Sequence, residues 1–330
     1  MKILIRTDIG GPHGLGHAVR CRALARALAA QGAEVRFLTQ TTGLLEFMAP
    51  MLVDYFVETN SPAFHPQMEW CDTIIVDNKL TNLAWYQWLR QRGKPLVMID
   101  RIEVSPDFCD MLIAPASHWA PDVVSRLRAG FGDRFLYGWD YVMLDEEVTS
   151  QAPVPYEQRQ DGPIVFCAGG SDLTGALEKM YQWTRHISVG ALLLYCYGTQ
   201  SQEAKTTSRQ PPTGAYVLGR VPFSRAYLRE AALVVGLFGV TPYECLWYQT
   251  PMLIVGRTVA DAADAFNLCL ASDWATRYIS SIDSMDATHF TTTLTGFWQD
   301  TDTRRRMHAA SAGLLDGGGV VRVADTILAL

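Results

Sequence analysis

No stretch of the 330-residue sequence approaches the ~20 consecutive apolar residues of a membrane-spanning helix, so no membrane span is expected. The apolar run near the N-terminus, Ile3-Leu4-Ile5, meets Arg6 and Asp8 too soon for a secretory signal, and a cytoplasmic location is expected. Basic charge is scarce too. Lys and Arg number 28 against 34 Asp and Glu, a net charge of −6, which argues against a nucleic-acid partner. A small anionic ligand remains compatible, because a local site can be positive on an acidic protein. Cys-x-x-Cys pairs are missing. The seven cysteines (Cys21, Cys71, Cys109, Cys167, Cys196, Cys245 and Cys269) are scattered and odd in number, the pattern of buried reduced thiols. Neither a disulfide framework nor a metal site is expected, and no cofactor is implied.

What is present is an ordinary globular balance, 48% hydrophobic and 19% charged, at a length that suits two domains of about 150 residues each. Short β-branched runs alternate with helical patterns. Residues 2–6 read as a buried strand, 19–30 as a helix with Cys21, Leu24 and Leu28 on one face, and 35–39 as the next strand. Together they make one βαβ unit. Further strands are predicted at 73–76, 96–99 and 111–113, with a helix at 83–92 closed by Gly93. Between 149 and 162 the periodicity stops, which marks the expected linker. The alternation then resumes, with strands at 163–167, 191–197, 215–218, 233–237 and 252–255. Helices are expected at 173–186, 224–232, 242–248, 264–274, 303–315 and 320–330. Strands alternating with helices build parallel sheets covered on both faces. The expected architecture is therefore α/β, with two Rossmann-like doubly wound domains, residues 1–150 and 151–330, facing a central cleft.

The sharpest local feature is Gly10-Gly11-Pro12-His13-Gly14-Leu15-Gly16-His17, between the first strand and the first helix. Its glycines let the backbone turn tightly, and the following helix offers free N–H groups and a positive dipole end. The loop is not a P-loop, since no Gly-Lys-Ser/Thr follows, nor the dinucleotide fingerprint, whose glycine spacing differs. His17 falls at the start of the helix, where the dipole disfavours imidazolium and leaves a ring able to act as a base. His13 reads as a bystander. Asp8 and Asp77 both follow strands, on the same sheet edge, with Asn78 and Lys79 next to Asp77. Carboxylates there serve either as helix caps or in the chemistry. Asp100-Arg101 repeats the position more weakly.

In the second half, Ala168-Gly169-Gly170-Ser171-Asp172 joins a strand to a helix and suits either an N-cap or a phosphate-facing turn. A second such turn, Gly239-Val240-Thr241-Pro242, leads into Glu244, one turn inside the helix and placed to accept from a ribose diol.

These residues carry a resemblance. The stretch from Asp8 to Cys21, centred on Gly14-Leu15-Gly16-His17, resembles the opening of the UDP-2,4-diacetamido-2,4,6-trideoxy-altropyranose hydrolases of pseudaminic-acid biosynthesis, relatives of GT-B glycosyltransferases. Val76-Asp77, Tyr137-Gly138, the Gly-Gly-Ser-Asp turn ending at Asp172, Glu244 and the tail Asp316-Gly317-x-Gly319-x-x-Arg322-Val323 are also similar. The resemblance implies a GT-B-like enzyme of polysaccharide biosynthesis that splits the sugar–diphosphate link of a UDP-type deoxyamino sugar. His17 would activate water, with Asp77 and Lys79 in the catalytic group. Gly169, Gly170, Ser171, Gly239, Val240, Thr241 and Glu244 would hold the nucleotide. Asp8, Gly14, Leu15, Gly16, Asn78 and Asn267 would contact substrate. The chain departs from the family at Asn78-Lys79, where the family has His-Tyr, and at Asn267-Leu268, where it has Asn-Gln. The turn Phe238-Gly239-Val240-Thr241 is also bulkier than the family's Gly-Gly-Ser. A cation cannot copy a phenol. The alternatives carried beside hydrolysis are therefore glycosyl transfer to a sugar acceptor and non-catalytic nucleotide-sugar binding.

Overall fold

The computed structural model describes residues 1–10, 14–41, 43–49, 51–55, 66–78, 83–170, 172, 174–196, 215–218 and 225–330. They form two compact units: Met1–Glu146 with Asp316–Leu330, and Glu147–Leu315.

Among the described residues, the first unit holds a seven-stranded sheet: β1 (Lys2–Thr7), β2 (Glu34–Thr39), β3 (Leu52–Tyr55), β4 (Thr73–Asp77), β5 (Leu96–Ile99), β6 (Met111–Ala114) and β7 (Phe135–Tyr137). The order is β3-β2-β1-β4-β5-β6-β7, and neighbouring strands run parallel. Successive residues of β1 point to opposite faces, so each face receives its own core. Ile3 and Ile5 pack with Leu24 and Leu28 of helix Gly16–Ala30, while Leu4 packs on the other face with Ile74, Val76 and Leu96. A strand covered on both sides must be apolar throughout, which is why these runs read so plainly in the sequence.

The second unit repeats the plan with β8 (Ile164–Cys167), β9 (Leu193–Cys196), β10 (Ala215–Leu218), β11 (Leu233–Leu237), β12 (Met252–Gly256) and β13 (Arg277–Ser281), in the order β10-β9-β8-β11-β12-β13. In each sheet the order reverses beside its first strand, between β1 and β4 in one and between β8 and β11 in the other. The crevice at the carboxyl ends of such a pair is where open α/β sheets bind ligands.

The expected boundary needs correction at the tail. Helix Gly319–Leu328 belongs to the first unit, because its apolar stripe (Val320, Val323, Ala324, Ile327) completes the core over Leu24 and Leu28. Gln31 Nε2 donates to Asp325 at 2.7 Å, and Arg322 donates to the Asp140 carbonyl at 2.9 Å and pairs with Asp316. The approach is close enough that a Cβ at Gly319 would fall on the Val142 carbonyl oxygen. Gly319→Ala is expected to cost about 1–3 kcal/mol in urea unfolding, the range for overpacking a filled site. Gly296→Ala, mid-helix with nothing within 4 Å, should instead gain about 0.5–1 kcal/mol.

The stretch 149–162 is also more than a linker. It contains helix Tyr156–Arg159, whose buried Arg159 guanidinium donates to the Tyr248 carbonyl at 2.8 Å and to the Thr250 hydroxyl inside the second unit. Strands β3, β7 and β13 and helices Pro121–Phe131 and Ala287–Gln299 lie beyond the elements expected from the sequence. Helix Val259–Ala271 starts five residues earlier than its apolar periodicity indicates, because the Thr258 hydroxyl caps it at the Asp261 amide. All seven cysteines are buried and unpaired. Among the described residues no helix is long and apolar enough to cross a membrane.

Candidate active site

Helix Gly16–Ala30 starts directly beyond β1. Gly14 at φ +69° provides the left-handed turn that brings the chain round, and Leu15 at the cap position offers no side-chain bond to the first helical amides. That leaves His17 in the first turn, beside the end of β4, since Thr7 and Asp77 are register partners in the parallel β1–β4 pair.

The His17 ring meets Asp77 there. Its Nδ1 lies 2.5 Å from Asp77 Oδ1, with the carboxylate fully buried and the imidazole 13% exposed. Arg20, three residues along the same helix face, grips that carboxylate side-on, Nε to Oδ2 and one NH2 group to Oδ1, both at 2.6 Å. The Cys21 thiol donates to Oδ2 at 3.3 Å. The same NH2 group of Arg20 lies 3.1 Å from Asp100 Oδ2 and 2.8 Å from His17 Nδ1.

Burial alone would raise the Asp77 pKa. The charges of Arg20 and His17 and the bonds they donate outweigh it and hold this carboxyl well below the ordinary range. Burial opposes the Arg20 charge in turn, yet Asp77 and Asp100 push its pKa up. Asp77 is thus an anion and can only accept, so the Nδ1 atom of His17 carries the proton between them. In the neutral ring the lone pair is then on Nε2, which has no hydrogen-bond partner among the described residues. A ring oriented by a buried carboxylate, with its far nitrogen open, is the arrangement of a general base.

Asp8 sits on the same edge but is occupied by the protein. Its carboxylate accepts from the Arg6 guanidinium (2.7 Å), the Thr39 hydroxyl (3.0 Å), the Gln40 amide (2.7 Å) and Asn78 Nδ2 (2.6 Å). Burial pushes its pKa up, and Arg6 with these bonds brings it below the ordinary value. The Asn78 carbonyl in turn accepts from Arg101 at 3.1 Å. Asp8 and Asn78 therefore brace the strand ends that carry the His17–Asp77 pair. Lys79, His13 and Ser171 lie outside the described residues.

In the second unit, Gly169 (φ +72°) and Gly170 follow β8, and Gly239, Val240 and Thr241 follow β11, its parallel neighbour. The ends of the two strands are adjacent. Glu244 acts electrostatically across them, adding to the burial that raises the pKa of the Cys167 thiol at the end of β8. Asp172 resolves one of the open readings. Its carboxylate accepts from the amides of Ala176 and Leu177 at 2.9 and 2.8 Å, capping helix Ala176–Thr184. The first amides of that helix are therefore taken by the protein's own anion, which leaves the backbone of Gly169 and Gly170, ahead of the cap, as the part of the turn to which the phosphate-facing expectation applies. Helix Thr241–Trp247, with Pro242 in its first turn, has no side-chain cap. Asn267 is half-buried on helix Val259–Ala271. Among the described residues no group of three His, Cys, Asp or Glu side chains is placed to hold a metal ion.

Sequence reasoning brought His17 and Asp77 to one edge but missed Arg20 and gave Asp100 little weight. A signal for Arg20 was present: a cation three residues after a candidate base, on a helix whose first turn faces strand-end carboxylates.

No family model and no curated protein matches the sequence. Solved structures do. The chain is similar to the glycotransferase of kitacinnamycin (14% identity over 99% of this chain and 98% of that one, TM-score 0.67). It is similar also to CalG4, the calicheamicin glycosyltransferase (13%, 99% and 97%, TM-score 0.61), and to S. aureus MnaA solved with UDP (13%, 99% and 95%, TM-score 0.68). The fold is GT-B. His17 and Asp77 stand at the strand-order reversal of the first sheet, and Gly169 and Gly239 follow the two strands at the reversal of the second.

Proposed function

We propose that the chain transfers a glycosyl group from a nucleotide sugar to an acceptor hydroxyl that His17 deprotonates. In that step the acceptor oxygen bonds to the anomeric carbon and its proton passes to His17 Nε2. The bond from that carbon to the phosphate oxygen breaks, and its electron pair leaves with the nucleoside diphosphate. Asp77 orients the ring and stabilises the imidazolium as it forms. The observation that carries the reading is the 2.5 Å contact from Nδ1 to a buried carboxylate, with no partner on Nε2 among the described residues. The backbone of Gly14, Leu15 and Gly16 presents itself to the substrate beside His17. Glu244 binds the ribose, and the backbone of Gly169, Gly170, Gly239, Val240 and Thr241 faces the phosphates, with Asn267 on the same side.

The stretch from Gly14 to His17 favours a second reading, hydrolysis, in which water takes the acceptor's place on the same base. Purified protein incubated with UDP-linked deoxyamino sugars, with and without sugar acceptors, separates the two through nucleoside diphosphate release. Release that needs an acceptor supports transfer, and acceptor-independent release supports hydrolysis. Tight binding without turnover, unchanged by His17→Ala, would overturn both. Glu244→Ala is expected to weaken nucleotide affinity by about 1–3 kcal/mol for a lost charged hydrogen bond, and unchanged affinity in calorimetry would count against the ribose assignment.

A further inference from the structure

Helix Val259–Ala271 of the second unit is apolar on two sides. Its buried residues, Ala265, Leu268 and Cys269, lie on the side packed against β12 and β13. Val259 (73% exposed), Ala263, Phe266 (37%) and Leu270 (52%) are left on the surface. At 3.6 residues per turn these four fall within about 60° of arc, on the side turned away from the buried three. Tyr278 of β13, also exposed, extends the patch, with its ring 5.3 Å from that of Phe266. Ten large apolar side chains are exposed among the described residues, and four of them (Val259, Phe266, Leu270 and Tyr278) meet here. Scattered exposed apolar residues need no explanation, whereas a contiguous patch marks a contact surface.

The spacing of the stripe identifies what covers it. Its members are separated by four, three and four residues, the same sequence of steps from either end. Two copies laid antiparallel about a two-fold axis at the midpoint therefore set Val259 against Leu270 and Ala263 against Phe266, a small residue opposite each central ring. An isologous pair requires such a patch, in which i meets j and j meets i, and alternating steps of three and four are those of a helix-to-helix seam. Charge follows the same symmetry. Arg257 directly precedes the capping Thr258, and Asp273 lies just beyond the helix end, both exposed and nearly equidistant from the midpoint. The antiparallel arrangement brings each Arg257 to the Asp273 of the other copy, whereas a parallel one would set like charges side by side. Arg257 Nε lies 2.8 Å from its own Asp261, and the guanidinium fork has donors for a second carboxylate.

We propose that this face is the interface of a homodimer, in which two copies of helix Val259–Ala271 pair antiparallel through Val259, Ala263, Phe266 and Leu270. The interface does not depend on the chemistry assigned to His17. Specific interfaces bury about 1,200–2,000 Å² in total, and a seam of two 13-residue helices flanked by Tyr278 stands at the low end of that scale. Dissociation in the micromolar range is expected.

Sedimentation velocity on the full chain, over about 1–200 µM, should show a passage from monomer to dimer. Phe266→Glu sets a carboxylate at the centre of the seam and should raise the dissociation constant at least about tenfold. Leu270→Glu should do the same, and it leaves the Phe266 ring contacts intact if the first variant does not fold. The register is read by mild oxidation with copper–phenanthroline. Val259→Cys mixed with Leu270→Cys should give a disulfide-linked dimer, and neither variant alone should, since the native cysteines are buried. A chain that stays monomeric over the whole range, or a dimer that both glutamate variants leave unchanged, overturns the proposal. Linkage of Val259→Cys to its own copy would show parallel helices and overturn it equally.

Discussion

Replacing His17 by alanine is expected to lower turnover by about 10²–10⁴-fold, the usual contribution of a positioned general base, while nucleotide affinity stays within error of the parent. The two effects separate because the ring belongs to the first unit and the proposed nucleotide contacts (Gly169, Gly170, Gly239 to Thr241, Glu244) to the second. The loss should fall on kcat, since the bond from acceptor to ring strengthens only as the proton moves. Calorimetry with UDP on both proteins, beside initial rates with the preferred donor, checks this directly. A variant that turns over at the parent rate would remove His17 from the chemistry. Stability should hardly change, because the imidazole is partly exposed and removing it leaves Arg20 still gripping Asp77.

Asp77→Asn is expected to be damaging in both respects. Its carboxylate is fully buried and holds a guanidinium that is itself nearly buried, so the substitution strands the Arg20 charge with Asp100 as its remaining anionic partner. Removing one member of a buried pair costs about 3–5 kcal/mol, and urea unfolding of parent and variant at neutral pH should show a loss of that order. Acid should narrow the gap. The Asp77 pKa is depressed in the folded protein, so its contribution is complete above the unfolded carboxylate value of about 3.9 and declines as the pH falls further, through the folded value. The difference between the two proteins should therefore be flat from pH 5 to 8, on the order of the full loss, and shrink only at lower pH. A gap that shrinks near neutrality would point to a different group. Activity should fall by about 10³–10⁴-fold, because an amide that turns its NH2 group towards Nδ1 selects the tautomer without a basic Nε2.

The hydrolase resemblance and the GT-B fold meet in one chain because they concern different levels. A GT-B scaffold positions loops at two strand-order reversals, while water or a sugar hydroxyl as nucleophile is decided by side chains near the base. The chain has Asn78-Lys79 where the resembling family has His-Tyr. Asn78 is bound to Asp8 and Arg101, so here it acts as a brace for the strand end.

The inner strands of the two parallel sheets, most of the helices between them and the glycine loop that leads into His17 were legible in the sequence alone, whereas β3, β7 and β13 were not. Strands buried on both faces must be apolar without a break, helices must keep one apolar stripe, and a tight strand-to-helix turn needs glycine. All three are local constraints written in neighbouring residues. Only the tertiary structure decided which polar groups meet. The His17–Asp77 contact spans 60 residues and the Arg20–Asp100 contact 80, and strand order, which no local period encodes, brings them together. The same holds for Asp8, which looked available and is occupied by Arg6, Thr39, Gln40 and Asn78, and for Asp172, which caps its own helix. It holds also for the C-terminal helix, whose apolar stripe is plain in the sequence but whose packing on the first unit, against Leu24 and Leu28, is not. Burial is specified by composition and spacing, whereas the pairing of charges depends on distances that exist only after the chain has folded.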